Sequence, residues 1–168
     1  MVLLREAGWD VAVEASFSIW GERGSIDVLA WHEATGSLLV VEVKSVVPDS
    51  QATLHGLDRK TRLAPRVARE RGWECRAVGR LLVVAESSTS RDRVTRVGAT
   101  YDTALPSRNI EVRRWIRQPK GPLGGLLFLR NALTGSTKRP STARERVRRP
   151  SGPDRRPNPS VSSPDAGT

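Results

Sequence analysis

Asp27, Glu42 and Lys44 are the residues whose types and spacing can do chemistry. Glu33-Ala34-Thr35-Gly36 reads as a turn between two apolar segments. If it closes a hairpin, His32 faces Ser37, paired residue numbers sum to 69, and Asp27 falls opposite Glu42. Directly opposed residues have Cβ atoms about 4.5–5.5 Å apart, close enough for two carboxylates to share a divalent ion. Lys44, two residues past Glu42, shares that face through the strand period of two. Clustered carboxylates repel unless a cation neutralises them, and hard oxygen ligands favour Mg²⁺ or Mn²⁺. Such an ion orients a phosphate and lowers the pKa of a bound water. A neighbouring ammonium stabilises charge developing on the phosphate, so the set suffices for phosphodiester hydrolysis. The same trio can instead be a surface ion pair. The strongly apolar frame Val40-Val41-Glu42-Val43-Lys44 and the basic excess of the chain favour the chemical reading.

These residues need strands to hold them, and the sequence predicts such strands. Val2 to Ala7 reads as a short helix stopped by Gly8. From Val11 to Ile19 the alternation is strict, with Val11, Val13, Ala15, Phe17 and Ile19 expected on one face and Glu14 on the other. Gly21 to Gly24 makes a turn, Ser25 to His32 a second strand, and Leu38 to Val47 a third, the most apolar. Pro48-Asp49-Ser50 offers a helix cap, and Leu54, Leu57, Leu63, Val67 and Ala68 recur at helical spacing up to Arg71 and Gly72. Arg80 to Glu86 reads as a buried fourth strand, followed by a helix over Asp92–Leu105 and a strand over Ile110–Ile116. The resulting expectation is an α/β domain over residues 1–130, opening α-β-β-β-α-β.

The 168 residues, 38% of them hydrophobic, suffice for one modest core. The net charge of +10 implies a polyanionic partner, with DNA expected. No apolar run approaches the roughly 20 residues that span a bilayer, and Met1 to Glu6 lack the pattern of a secretory signal. The expected setting is the cytoplasm, without membrane contact, and a homodimer is left open. A single cysteine, Cys75, excludes a disulfide framework or a Cys-rich zinc site. Residues 131–168, rich in Pro, Ser, Thr, Gly and Arg, read as a disordered basic tail. Eight basic and three acidic residues give that tail half of the net charge.

Gly24-Ser25-Ile26-Asp27, a hairpin, and Val41-Glu42-Val43-Lys44 together resemble the signature of the PD-(D/E)xK nuclease superfamily, closest to its Holliday-junction-resolvase-like branch. The similarity covers Leu3 to Val84. More narrowly, Gly21 to Asp27 and Leu57-Asp58-Arg59-Lys60 are similar to the nuclease-like domain of actinobacterial helix-turn-helix fusion proteins. The resemblance implies a restriction-endonuclease-like core of order α-β-β-β-α-β and a metal-dependent endonuclease. Asp27 and Glu42 would be the metal ligands and Lys44 the catalytic lysine. This superfamily often carries a further acid on its first helix; here Glu6 is a weak substitute, and Glu14 is the better candidate.

Gln51, at the start of the second helix, is a candidate contact to phosphate or to an attacking water. Arg59, Lys60 and Arg62 form a basic helical cluster, and Arg23 lies in the first turn; these are candidate DNA-backbone contacts or a solvated face. Trp20 beside Arg23 either stacks on an unpaired base or caps the core. A non-catalytic DNA-binding module is the competing function. Deleting residues 131–168 should leave the melting temperature nearly unchanged while weakening DNA binding. The slope of log K against log salt should then flatten by about 0.9 for each phosphate that the tail had neutralised, and a large fall in melting temperature would contradict the tail assignment.

Overall fold

The structure, a computed structural model, describes residues 1–46 and 49–130. The expected tail, residues 131–168, lies outside the described residues. The elements follow the order α1 (Val2–Glu6), β1 (Asp10–Ile19), β2 (Glu22–His32), β3 (Ser37–Lys44), α2 (Ser50–Arg69) and β4 (Ala77–Ala85). Beyond them come α3 (Ser88–Arg96), α4 (Gly98–Ala104), β5 (Ser107–Arg108), α5 (Asn109–Arg117) and β6 (Gly124–Leu129). One mixed six-stranded sheet results, in the order β1-β2-β3-β4-β6-β5. The β1–β2 and β2–β3 pairs are antiparallel, and the β3–β4, β4–β6 and β5–β6 pairs are parallel. Among the described residues, no helix is long and apolar enough to cross a membrane.

Two apolar layers sandwich the sheet. One joins Leu38, Val40, Leu82 and Val84 of the sheet to Leu54, Leu57, Leu63 and Val67 of α2 and to Tyr101 of α4. The other joins Leu39, Val41, Leu81 and Val83 to Leu4 of α1 and to Val112 and Ile116 of α5. β3 is interior and covered on both faces, which is why Leu38 to Val41 form an unbroken apolar run rather than an alternating one. Each such side chain, fully buried, contributes about 1.5–3 kcal/mol. Asp49 caps α2 by accepting the Ala52 N–H at 3.0 Å, satisfying a donor that the first turn leaves free.

The alternation expected along β1 breaks at Glu14. Ala12 packs with the α2-side layer and Val11 with the opposite one, yet beyond Glu14 it is Ala15, Phe17 and Ile19 that join the α2 side. Glu14 has φ +48°, a backbone conformation uncommon outside glycine, and it works as a half-turn that reverses which residues face inward. β2 reverses with it: Leu29 and Ile26 both belong to the α2-side layer, so the exchange falls on Asp27.

Two later expectations need correction, and one strand lies beyond them. The segment Ile110–Ile116 is part of a helix, not a strand. Val112 and Ile116, four residues apart, are buried whereas Ile110 is exposed, and the Glu111 carboxylate accepts the Arg108 N–H at 2.9 Å to cap the first turn. Val112 and Ile116, four residues apart, share a face under either period, and packing on β6 selects the helical one. The helix expected over Asp92–Leu105 is two helices, the first starting earlier at the Ser87 cap and the second beginning at Gly98. β6 lies beyond the expected elements and pairs with β4 from Arg80↔Gly124 to Ala85↔Leu129. The helical face of α5 predicts that Ile116→Ala costs about 2–5 kcal/mol, while Ile110→Ala stays within about 0.5 kcal/mol. Urea unfolding of the two variants checks this, and equal costs would contradict the helical placement.

Candidate active site

The β2–β3 ladder runs from His32↔Ser37 to Val28↔Val41, keeping the expected register sum of 69, and stops one pair short of Asp27 and Glu42. Where the ladder stops, a side chain takes over. Asp27 Oδ2 accepts the Val43 N–H at 2.8 Å, so a carboxylate satisfies a donor at the point where the strands part. On the other side β3 stays paired with β4, Glu42 beside Leu82 and Lys44 beside Val84. The acids therefore sit toward the carboxyl ends of the parallel strands β3 and β4, where ligands bind in open α/β sheets.

Glu42 is buried, 6% exposed, with each oxygen met by an ammonium. Lys44 Nζ lies 2.7 Å from Oε1, and Lys60 Nζ, arriving from α2, bonds Oε2. The same Lys60 Nζ donates to Asp27 Oδ1 at 2.9 Å. The three residues expected to converge do so, and Lys60 is the fourth member. The sequence offered Lys60 as a DNA-backbone contact or part of a solvated face; in the structure its ammonium is engaged between two carboxylates. The sequence carried a signal for this. Lys60 follows Leu57 by three residues and precedes Leu63 and Ala64 by three and four, which places a lysine on the buried stripe of an amphipathic helix. An ammonium there needs a buried acid.

Burial would raise the Asp27 pKa. The Val43 N–H, then the Lys60 hydrogen bond and charge, then the Lys44 charge outweigh that effect and hold the carboxyl below its ordinary value. For Lys60, burial favours the neutral amine, but hydrogen bonds and charge from Glu42 and Asp27 prevail and raise its pKa. Both groups are thus held ionised. Two carboxylate oxygens meeting on a single cationic centre is the geometry a shared divalent ion requires. Mg²⁺ takes one or two protein carboxylates and keeps several waters, so Asp27 and Glu42 fit it with Lys60 displaced.

The remaining candidates lie around this cluster. The Val13↔Val28 and Ala15↔Ile26 pairs bracket Glu14, setting it opposite Asp27 across the strand pair. Glu14 is exposed, and with Ser25 and Asp27 it forms the polar end of a cavity of about 520 Å³ lined mainly by apolar side chains such as Val13, Val41 and Val43. Among the described residues it makes no hydrogen bond to the cluster. Gln51 is exposed in the first turn of α2, also without a hydrogen bond to the cluster among the described residues. Arg23 and Arg59 are exposed, and Arg62 pairs with Glu22 at 2.7 Å. His32 bonds Thr35 Oγ1 at 2.9 Å and packs on Trp9, a structural role.

Asp27, with its pKa lowered on folding, adds stability above about pH 4, which is lost as pH falls through the folded value. Lys60, with its pKa raised, adds stability below about pH 10.5, which is lost as pH rises through the folded value. Lys60→Met should cost roughly 3 kcal/mol at neutral pH, since it takes the shared ammonium from between two carboxylates. It should also shrink both the alkaline and the acid limbs of the stability profile. Denaturant unfolding across pH measures both, and a variant profile parallel to the parent's would mean that solvent already screens the cluster.

No protein-family model, curated protein or solved structure matches this chain, so the functional reading rests on its own residues and their geometry.

Proposed function

We propose that this chain is a metal-dependent DNA endonuclease on a restriction-endonuclease-like core, with Asp27, Glu42 and Lys44 as its catalytic centre. One observation carries the reading: two carboxylates from neighbouring strands converge on one cation position, held by the Lys60 ammonium, with a second lysine on the outer oxygen of Glu42. A divalent cation carries twice the charge of an ammonium and competes for the same oxygens. When bound, Mg²⁺ or Mn²⁺ supplies Lewis-acid polarisation of a phosphate and a water of lowered pKa.

The chain's own residues do the rest. Asp27 and Glu42 hold the ion, and Val43, through its N–H, fixes the orientation of Asp27. Lys44, the more exposed of the two lysines, faces the reacting phosphate and stabilises its developing charge. Lys60, once released, adds a second positive charge beside the phosphate. Glu14 borders the same space from the far side of Asp27 and is the candidate further acid, while Gln51 stands ready at the head of α2. The net charge of +10 supports DNA as the substrate.

A second reading has its own observation. Lys60 and Lys44 together already neutralise both acids, and among the described residues no group of three or more His, Cys, Asp or Glu is placed to hold a metal. On that reading the cluster is structural and the chain is a non-catalytic DNA-binding module. Calorimetric Mn²⁺ titration beside a plasmid-nicking assay separates the two. The enzyme reading expects Asp27→Asn and Glu42→Gln to lose both Mn²⁺ binding and cleavage. Lys44→Ala should keep or tighten Mn²⁺ binding while cleavage falls by about a hundredfold or more. Undetectable Mn²⁺ binding in the parent, unchanged by Asp27→Asn, would leave the structural reading standing.

A further inference from the structure

The tip of the β1–β2 hairpin is built at a cost that stability does not explain. Ile19 pairs with Glu22, so the loop is only Trp20-Gly21, and both residues have positive φ, +51° and +80°. Two-residue loops of this kind favour Asn-Gly or Gly-Gly. A tryptophan in the left-handed region is strained, and here the side chain is also 74% exposed. The alternative expected from the sequence, a tryptophan capping the core, is therefore not what is found. Backbone strain and an exposed indole together suggest a binding role.

Its surroundings are cationic. The Arg66 guanidinium lies 4.6 Å from the Trp20 ring centroid and covers one face, leaving the other to solvent. Arg62, Arg66 and Arg69, with Pro65 and one acid, Glu70, border a shallow depression beside Trp20. With Arg59 they are exposed along one side of α2, at spacings of three, four and three residues, a row about 15 Å long. Among the described residues, only Arg62 of these four is in an ion pair. The row begins next to Lys60, so it runs from the acid cluster to the indole.

We infer that this surface binds unpaired nucleotides of a nucleic-acid strand, a base stacking on the free face of Trp20 and the phosphates tracking Arg59, Arg62, Arg66 and Arg69. Stacking on an aromatic ring is open to every base, and arginine beneath the ring reinforces it. The inference deepens the proposed nuclease function, on which it rests, by naming the substrate class: strands with an unpaired flank beside the site of cleavage.

Trp20→Asn tests it, because asparagine relieves the strained turn while removing the stacking surface. Binding is measured on the full chain by fluorescence anisotropy in EDTA, with labelled oligothymidylate, oligouridylate and a duplex of equal length. Trp20→Asn should melt at or above the parent temperature, bind both single strands roughly 5- to 100-fold more weakly, and change duplex affinity less than about twofold. Trp20→Phe should retain most single-strand affinity. Arg66→Ala with Arg69→Ala should weaken single-strand binding and lower its salt slope by about 0.7 per arginine. The stronger of the two single strands identifies DNA or RNA. Unchanged single-strand affinity in Trp20→Asn, or an equal loss on duplex, overturns the inference. Because EDTA excludes cleavage, these results stand apart from the Mn²⁺ titration, and either proposal can fail without the other.

Discussion

Like charges held side by side where two strands part push those strands apart, and the sheet tolerates Asp27 and Glu42 because Lys60 stands between them. That ammonium ties three elements at one atom: β2 through Asp27, β3 through Glu42 and α2 through the lysine itself. Much of the architecture serves this contact. α2 must cross the α2-side face of the sheet close enough for a lysine to reach down, which Leu57 and Leu63, both buried on either side of Lys60, ensure. Cluster and core are therefore coupled, and the position of α2 depends on charge as well as on apolar packing.

The strand geometry around Asp27 is equally particular. A regular ladder would continue the β2–β3 pairing through Asp27 and Glu42. Instead the β2–β3 pairing ends one residue early, the Asp27 carboxylate takes the Val43 N–H, and both β1 and β2 exchange their inward faces at Glu14 and Asp27. The positive φ of Glu14 marks the place where β1 absorbs that change. As a result Asp27 borders both the lysine cluster and the apolar cavity on the α1 side, so a polar site and an open apolar recess meet at one residue. Local irregularity of this sort is stored where a fold has a site to build.

α2 divides its cations between two tasks. Lys60, on the buried stripe, is neutralised by two acids, while Arg59, Arg62, Arg66 and Arg69 project to solvent on another side. One helix thus carries both the cation that holds the cluster and a positive track leading away from it. The proposed functions differ in how much of this they use. A nuclease uses cluster and track together, whereas a binding module needs only the track.

The hairpin register, the convergence of Asp27, Glu42 and Lys44, the cap at Asp49 and the order α-β-β-β-α-β were legible in the sequence, because each follows from short-range rules of period two, period 3.6 and turn chemistry. Beyond β4 the same rules failed. Val112 and Ile116 share a face in a strand and in a helix alike, and only packing beside β6 chose the helix. The β1 reversal at Glu14 was hidden as well, since strict alternation in a sequence carries no mark of a single residue with positive φ. Lys60 reads in the sequence as part of a basic cluster with Arg59 and Arg62, although its spacing from Leu57 and Leu63 sets it on the apolar stripe, and its partners lie 33 and 18 residues away. The sequence by itself determined which residues could be reactive and which strands would carry them, since those depend on neighbours along the chain. Tertiary structure alone decided which charge neutralises which, because a long-range ion pair is set by where a helix crosses a sheet.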